Sequence, residues 1–198
     1  MELSRLFKKN VDLVVLGLLS LLVWLAYWNS LPNGFVGDDH IIVVRNQAIT
    51  DLRALPSLLA SDYWANMRGA DEVGHSQSSG LYRPLTMTTY ALNYAVSGLS
   101  PMGYHLVNVC VHLLVTWVLY LVGKQGGLTV EAALVAAAVF AVHPLHTEAV
   151  TGIVGRAELL VALGVLGAVW FAMKGRRLLS LGAFAARLFS KEQAMVHT

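Results

Sequence analysis

The run LVVLGLLSLLVWLAYW, residues 13–28, decides the fold. It follows the basic stretch RLFKKN, residues 5–10, and closes on Trp24, Tyr27 and Trp28. A spanning helix needs about 20 mostly apolar residues, and aromatic residues collect where such a helix leaves the hydrocarbon. A signal peptide also begins with basic residues, but its apolar core is shorter, about 7–15 residues, and ends at a small-residue cleavage site. The run therefore reads as a retained anchor, spanning about residues 11–30. Composition agrees. The 198 residues are 56% hydrophobic and 13% charged, against about 25% charged in soluble domains, with a mean hydropathy of +0.59. A net charge of +2 argues against a nucleic-acid partner. The single cysteine, Cys110, lies within an apolar run and excludes an intramolecular disulfide.

Further spans are expected at residues 104–123, 127–143 and 158–173, with a weaker, Arg187-containing candidate at 178–190. That last segment extends only about 20 Å as a helix, against roughly 30 Å of hydrocarbon. The basic residues Arg5, Lys8, Lys9, Lys124, Lys174, Arg176 and Arg177 fall at alternate ends of successive spans. All land on one side, which the positive-inside rule makes cytoplasmic, so the N-terminus is cytoplasmic. The opposite face receives a large loop, residues 31–103, then residues 143–157 and whatever follows residue 190. In that loop residues 50–64 and 83–99 read as interfacial helices packed on lipid or on the bundle, with Pro84 and Pro56 suited to a first helical turn. Between them lies a polar turn segment containing His75.

Ionisable residues from four separated segments thus meet at one membrane face. Asp38 and Asp39 follow an Asn-Gly pair in NGFVGDDHIIV, residues 33–43. On an extended segment adjacent side chains point to opposite sides. One carboxylate can then act as general base while its neighbour holds a cation or orients the loop. The bland alternative is a solvated turn with two exposed acids. In HPLHTEAVTGIVGRAE, residues 143–158, His143 and His146 stand three apart with Glu148 nearby. A metal site is conceivable, but HExxH is absent and Pro144 disturbs the geometry. Hydrogen bonding to a sugar or phosphate, with Arg156 as phosphate partner, fits better; helix capping is the structural alternative. Arg83 in YRPLT lies where a lipid phosphate or an ordinary headgroup would sit. Lys191 and Glu192 in SKEQ reach the same mouth, or form a plain surface ion pair. His105 and His112, seven apart, and Asn108 form a bundle-facing polar stripe on the second span, suited to packing and helix–helix hydrogen bonds.

Together GFVGDDHIIVVRNQAI, LYRPLTMTTYALNYAVSGLSPMGYHLVNVCVHLLV, VFAVHPLHTEAVTGIVGRAELL and LFSKEQAMV resemble, in order and spacing, the transmembrane and tetratricopeptide-repeat-containing O-mannosyltransferases and their bacterial relatives. The resemblance covers about residues 29–196. It implies an all-α integral membrane protein, a partial multi-span bundle of the GT-C glycosyltransferase type with a large first outer loop. It also implies transfer of a sugar, mannose in eukaryotic members, from a polyprenyl or dolichyl phosphate to a Ser or Thr hydroxyl of an acceptor protein. Asp38 or Asp39 would be the catalytic acidic residue, with Arg83, His143, His146, Glu148, Arg156, Lys191 and Glu192 as donor-pocket candidates. No metal ligand is assigned. Family members continue into further spans and a helical-repeat region, so this chain is expected to be the front part of such an enzyme. The membrane would be endoplasmic reticulum in a eukaryote and the inner plasma membrane in a bacterium. A transport or channel subunit with ionisable residues at its outer mouth is the competing reading.

Overall fold

The computed structural model describes residues 2–61, 63 and 81–191. Glu192 and the turn segment around His75 lie outside the described residues. Among those described, the chain is helical throughout, with no β-strand. Three helices are long and apolar enough to cross a membrane, within Asn10–Ser30, Pro101–Gln125 and Ile153–Met173. The protein is an all-α membrane protein.

The first helix, α1 (Glu2–Tyr27), buries Val15, Leu19, Val23 and Tyr27, one residue per turn, yet leaves Leu13, Val14, Leu18, Leu21 and Leu25 exposed. Only an apolar surround makes that outer face stable, because in water those leucines would be covered. Helix α4 (Pro101–Gln125) shows the same inversion more clearly. Its buried face carries His105, Asn108, His112 and Thr116, while Leu106 and Leu114 face outward. Polar side chains inside and leucines outside are what a bundle in lipid requires. The two helices run antiparallel. Tyr120 donates to Asp12 Oδ1 at 2.7 Å, Lys124 pairs with the same carboxylate, and the Trp117 indole donates to Leu16 O at 3.2 Å.

Two expected spans come out differently. The third is α5 (Val130–Val142), whose 13 residues extend only about 20 Å. His143 takes an extended backbone (ψ 130°) ahead of Pro144, as a residue preceding proline must. A 3₁₀ turn, Pro144–His146, and α6 (Thr147–Thr151) follow at a 50° bend. The pair passes as a fourth span only if taken as one broken helix. The proposed fifth span is α8 (Arg177–Leu188), 12 residues long. It is too short to cross and instead folds back along α7 (Arg156–Met173). The close approach is at Gly164, where an added Cβ would lie 2.8 Å from Arg187 Cβ and 2.9 Å from Ala183 O.

The large loop is not a tether. It contains a π-helical turn, His40–Val44, two 3₁₀ turns, and helices α2 (Leu55–Ala60) and α3 (Pro84–Ser97). Asn46 and Asp51 cap the 3₁₀ turns, accepting from Ala48 N and Arg53 N. Pro56 and Pro84 sit in the first turns of α2 and α3, as their missing N–H allows. Ile42, Val43, Ile49, Leu58, Met87 and Tyr90 form a core that continues onto Tyr104 of α4 and Ile153 before α7. The loop is thereby a packed cap on one end of the bundle. Lys124 and Lys174 lie at the other end, where Met173 Cε comes within 3.7 Å of a Cβ placed on Gly126.

Candidate active site

Where cap and bundle meet there is a cavity of about 460 Å³. Asp38 enters it from the turn just ahead of the π-helix, Ile42 from the π-helix, and Tyr63 and Arg83 from the rest of the cap. Glu148 comes from α6, Val154 from the turn before α7, and Glu158 from the first turn of α7. Segments more than a hundred residues apart therefore share one chamber.

The two adjacent aspartates divide sharply. Asp39 is buried at 2% exposure. Its Oδ2 accepts from Val36 N at 3.0 Å and its Oδ1 from Val154 N at 3.1 Å. Both carboxylate oxygens are committed to main-chain donors, and the side chain ties the loop to the turn 115 residues on. Asp38 is exposed and lines the cavity. Their backbone is not the extended segment expected: Asp39 is helical (φ −56°, ψ −36°) at the start of the π-turn. The two carboxylates still diverge, because neighbouring residues on a helical turn do not face each other.

Cations are supplied from two directions. The Arg83 guanidinium lies 4.5 Å from the centre of the Tyr63 ring, a cation–π contact that orients it. Lys191 forms an ion pair with Glu158. The strand of chain carrying Lys191 is sewn to the start of α3, with Leu85 N donating to Phe189 O at 3.0 Å and Thr86 Oγ1 to Ser190 O at 2.9 Å. The return of α8 is thus what brings Lys191 to Glu158, which lines the cavity.

Arg156 does not line this chamber. It is fully buried. Nε donates to Asn108 Oδ1 at 2.8 Å, and one terminal nitrogen to Asn93 Oδ1 at 2.9 Å and Tyr104 O at 3.0 Å. The other terminal nitrogen makes longer contacts with Thr89 O and Oγ1. The rings of Tyr90 and Tyr104 flank it at 4.7 and 5.6 Å. A side chain so enclosed cannot reach a ligand phosphate in the cavity as expected of it.

His143 and His146 are also placed elsewhere. The His146 ring turns toward α4 and α5, packing 4.3 Å from Phe140 and 5.8 Å from His112. His143 is exposed, and its Nδ1 accepts from Leu145 N at 3.3 Å, capping the 3₁₀ turn. Among the described residues no group of three His, Cys, Asp or Glu side chains could hold a metal. Glu148 alone of that segment's proposed site residues lines the cavity.

Sequence reasoning missed Tyr63 and the turn at residues 152–155. The signal for the turn was its pair of glycines. A Cβ on Gly155 would lie 2.4 Å from Ala149 O, so only glycine lets the turn rest on α6. Asn108, expected to bond between helices, donates to Gly152 O at 2.8 Å and to Ile153 O at 3.3 Å. Tyr90 also donates to Ile153 O, at 3.0 Å. Burial pushes its hydroxyl well above the usual phenol range, keeping it a donor.

Beside the cavity, on the other side of residues 81–84, lies an almost wholly apolar groove of about 500 Å³. Leu81 and Arg83 face the cavity, whereas Tyr82 and Pro84 face the groove, with Leu55, Leu59 and Phe189. A chamber carrying Asp38, Arg83, Glu148 and Glu158 thus shares one wall with an apolar slot.

Comparison of the sequence with known proteins finds named relatives. The chain is 43% identical over 148 residues to the Drosophila melanogaster protein O-mannosyl-transferase Tmtc1, covering 75% of this chain. It is 40% identical over 159 residues to human protein O-mannosyl-transferase TMTC3, covering 80% of this chain. With Drosophila Tmtc2 the match, at 36% identity, extends over 96% of this chain. The chain belongs to the TMTC family. It spans 17% of the length of the first two TMTC relatives and 21% of the third. No family model matches the chain, and no solved structure does.

Proposed function

We propose that this chain forms the donor-side catalytic face of a membrane protein O-mannosyltransferase. Mannose is taken from a polyprenyl or dolichyl phosphate and joined to a Ser or Thr hydroxyl of an acceptor protein, with Asp38 as the general base. The observation carrying this reading is the division of labour between the paired acids. Asp39 is consumed by two backbone bonds, leaving Asp38 in the chamber.

The acceptor oxygen attacks the sugar C1 as its proton passes to an Asp38 oxygen. The bond from C1 to the phosphate oxygen breaks, and its electron pair leaves with the lipid phosphate. Arg83 and Lys191 supply positive charge for that leaving group, where a cation is worth most as charge develops. Glu148 is available to the sugar hydroxyls. The apolar groove across residues 81–84 supports a donor that is greasy at one end and anionic at the other. A transport pathway would instead string ionisable groups through mid-bilayer, whereas the cavity's Asp38, Arg83, Glu148 and Glu158 collect at one end of the bundle. The basic residues put the N-terminus on the cytoplasmic side and the cavity opposite it, in the lumen of the endoplasmic reticulum or, in a bacterium, outside the inner membrane.

The test is Asp38→Asn in the full-length protein, assayed with labelled polyprenyl-phosphate mannose and an acceptor peptide. Loss of a general base lowers turnover by about 10²–10⁴, while donor binding stays. Full turnover by this variant would remove Asp38 from the mechanism.

A further inference from the structure

We infer that Arg156 is a positioning residue that sets where Asp38 stands, acting through Asn108, the turn at residues 152–155 and Asp39. The inference rests on the reading of Asp38 as the base.

The starting point is an energetic oddity. A guanidinium removed from water is costly unless it is paired. Among the described residues every hydrogen bond of Arg156 goes to a neutral oxygen. An apolar side chain of similar volume would fill the site without that penalty. What it could not do is direct five N–H groups in a fixed planar fork. Those donors join three elements at once: Thr89 and Asn93 on α3, Tyr104 and Asn108 on α4, and the start of α7 itself.

The consequential bond is Nε to Asn108 Oδ1. An amide has one acceptor end and one donor end. With its oxygen held by Arg156, the Asn108 NH₂ must point the other way, toward Gly152 O and Ile153 O. Those carbonyls belong to the turn whose next N–H, that of Val154, donates to Asp39 Oδ1. Asp39 Oδ2 in turn holds Val36 N, closing the loop on which Asp38 is the adjacent residue. Each link has a single orientation that satisfies it, so the chain of bonds transmits position. Arg156 touches neither the cavity nor any reacting atom.

A residue that merely stabilised the fold would act independently of Asp39. One that acts through it would not, because the same final link is lost in both cases. The experiment is a double-mutant cycle in the full-length protein with Arg156→Met and Asp39→Asn, reading kcat, donor KM and the thermal midpoint. We expect each single change to lower kcat about tenfold, and the double variant to fall no more than about twofold below the worse single. Donor KM should stay within about twofold throughout. Arg156→Lys, which keeps the charge but not the fork, should fail to restore kcat. Losses that multiply, or full activity in Arg156→Lys, would overturn the inference. Where Arg156→Met does not fold, Arg156→Lys and Asn108→Ala replace it in the cycle. If none of the three folds, the residue serves the fold at large and the inference is likewise overturned. An active Asp38→Asn variant would sink the base assignment, whereas multiplying losses beside an inactive Asp38→Asn variant sink the positioning role alone.

Discussion

Changing one carboxylate to an amide should have opposite consequences at two neighbouring positions, and the sizes follow from their surroundings. Asp39 is 2% exposed, and each of its oxygens accepts one main-chain N–H, at 3.0 and 3.1 Å. A hydrogen bond to a charged acceptor contributes roughly 1.5–3 kcal/mol. In Asp39→Asn one N–H keeps a neutral acceptor, about half as strong, while the other faces an NH₂ group and has no partner. The sum is a loss of about 2–4 kcal/mol. Asp38 is exposed at the cavity, and substitutions away from buried networks stay within about 0.5 kcal/mol. The assay is reversible unfolding in mixed micelles as the SDS fraction rises, followed by tryptophan fluorescence. Asp39→Asn should unfold at a clearly lower SDS fraction and Asp38→Asn at the wild-type one. Equal stability of the two variants would refute the division of roles, and so would a larger loss at Asp38.

Other consequences are as direct. Gly155→Ala drives a methyl to within 2.4 Å of Ala149 O, a backbone atom that cannot step aside. The same unfolding assay should record about 1–3 kcal/mol of lost stability. Gly164→Ala should lever α8 off α7, since its Cβ would meet Arg187 Cβ at 2.8 Å. Zero-length carbodiimide crosslinking of Lys191 to Glu158, which are ion-paired in the parent protein, should then fall sharply. The raised Tyr90 hydroxyl means the folded state holds its proton more tightly than the unfolded chain. Its contribution is therefore complete below about pH 10, the unfolded value, and is lost as pH climbs toward the folded one. Tyr90→Phe should flatten that alkaline decline in stability.

The residues differ in how readable they were. Spans over α1, α4 and α7 follow from apolar runs, because helix formation in lipid is local: every backbone group bonds within the segment. Pro56 and Pro84 marked helix starts for the same local reason. Composition alone carries no bend, so the third span could not reveal the break at His143-Pro144, where α5 ends after 13 residues and the chain continues as a bent pair that passes as one span only when taken together. Residues 178–190 were apolar enough to suggest a span, but α8 finds its partner in α7. The histidines at 143 and 146 carried the right chemistry for a site. His146 instead packs on Phe140 and His112, and His143 caps the 3₁₀ turn through Leu145 N.

By itself the sequence determined that the chain crosses a membrane as helices and which short motifs bring charge to the far side of the bundle. Both depend on neighbours a few residues away. Only the tertiary structure decided which of two adjacent aspartates is tied to the main chain and which faces the cavity, since the tie is the N–H of Val154, 115 residues downstream. It likewise turned Arg156 from a surface cation into an enclosed one. A long arginine side chain follows the acceptors that surround it, and those come from α3 and α4 as well as from its own helix.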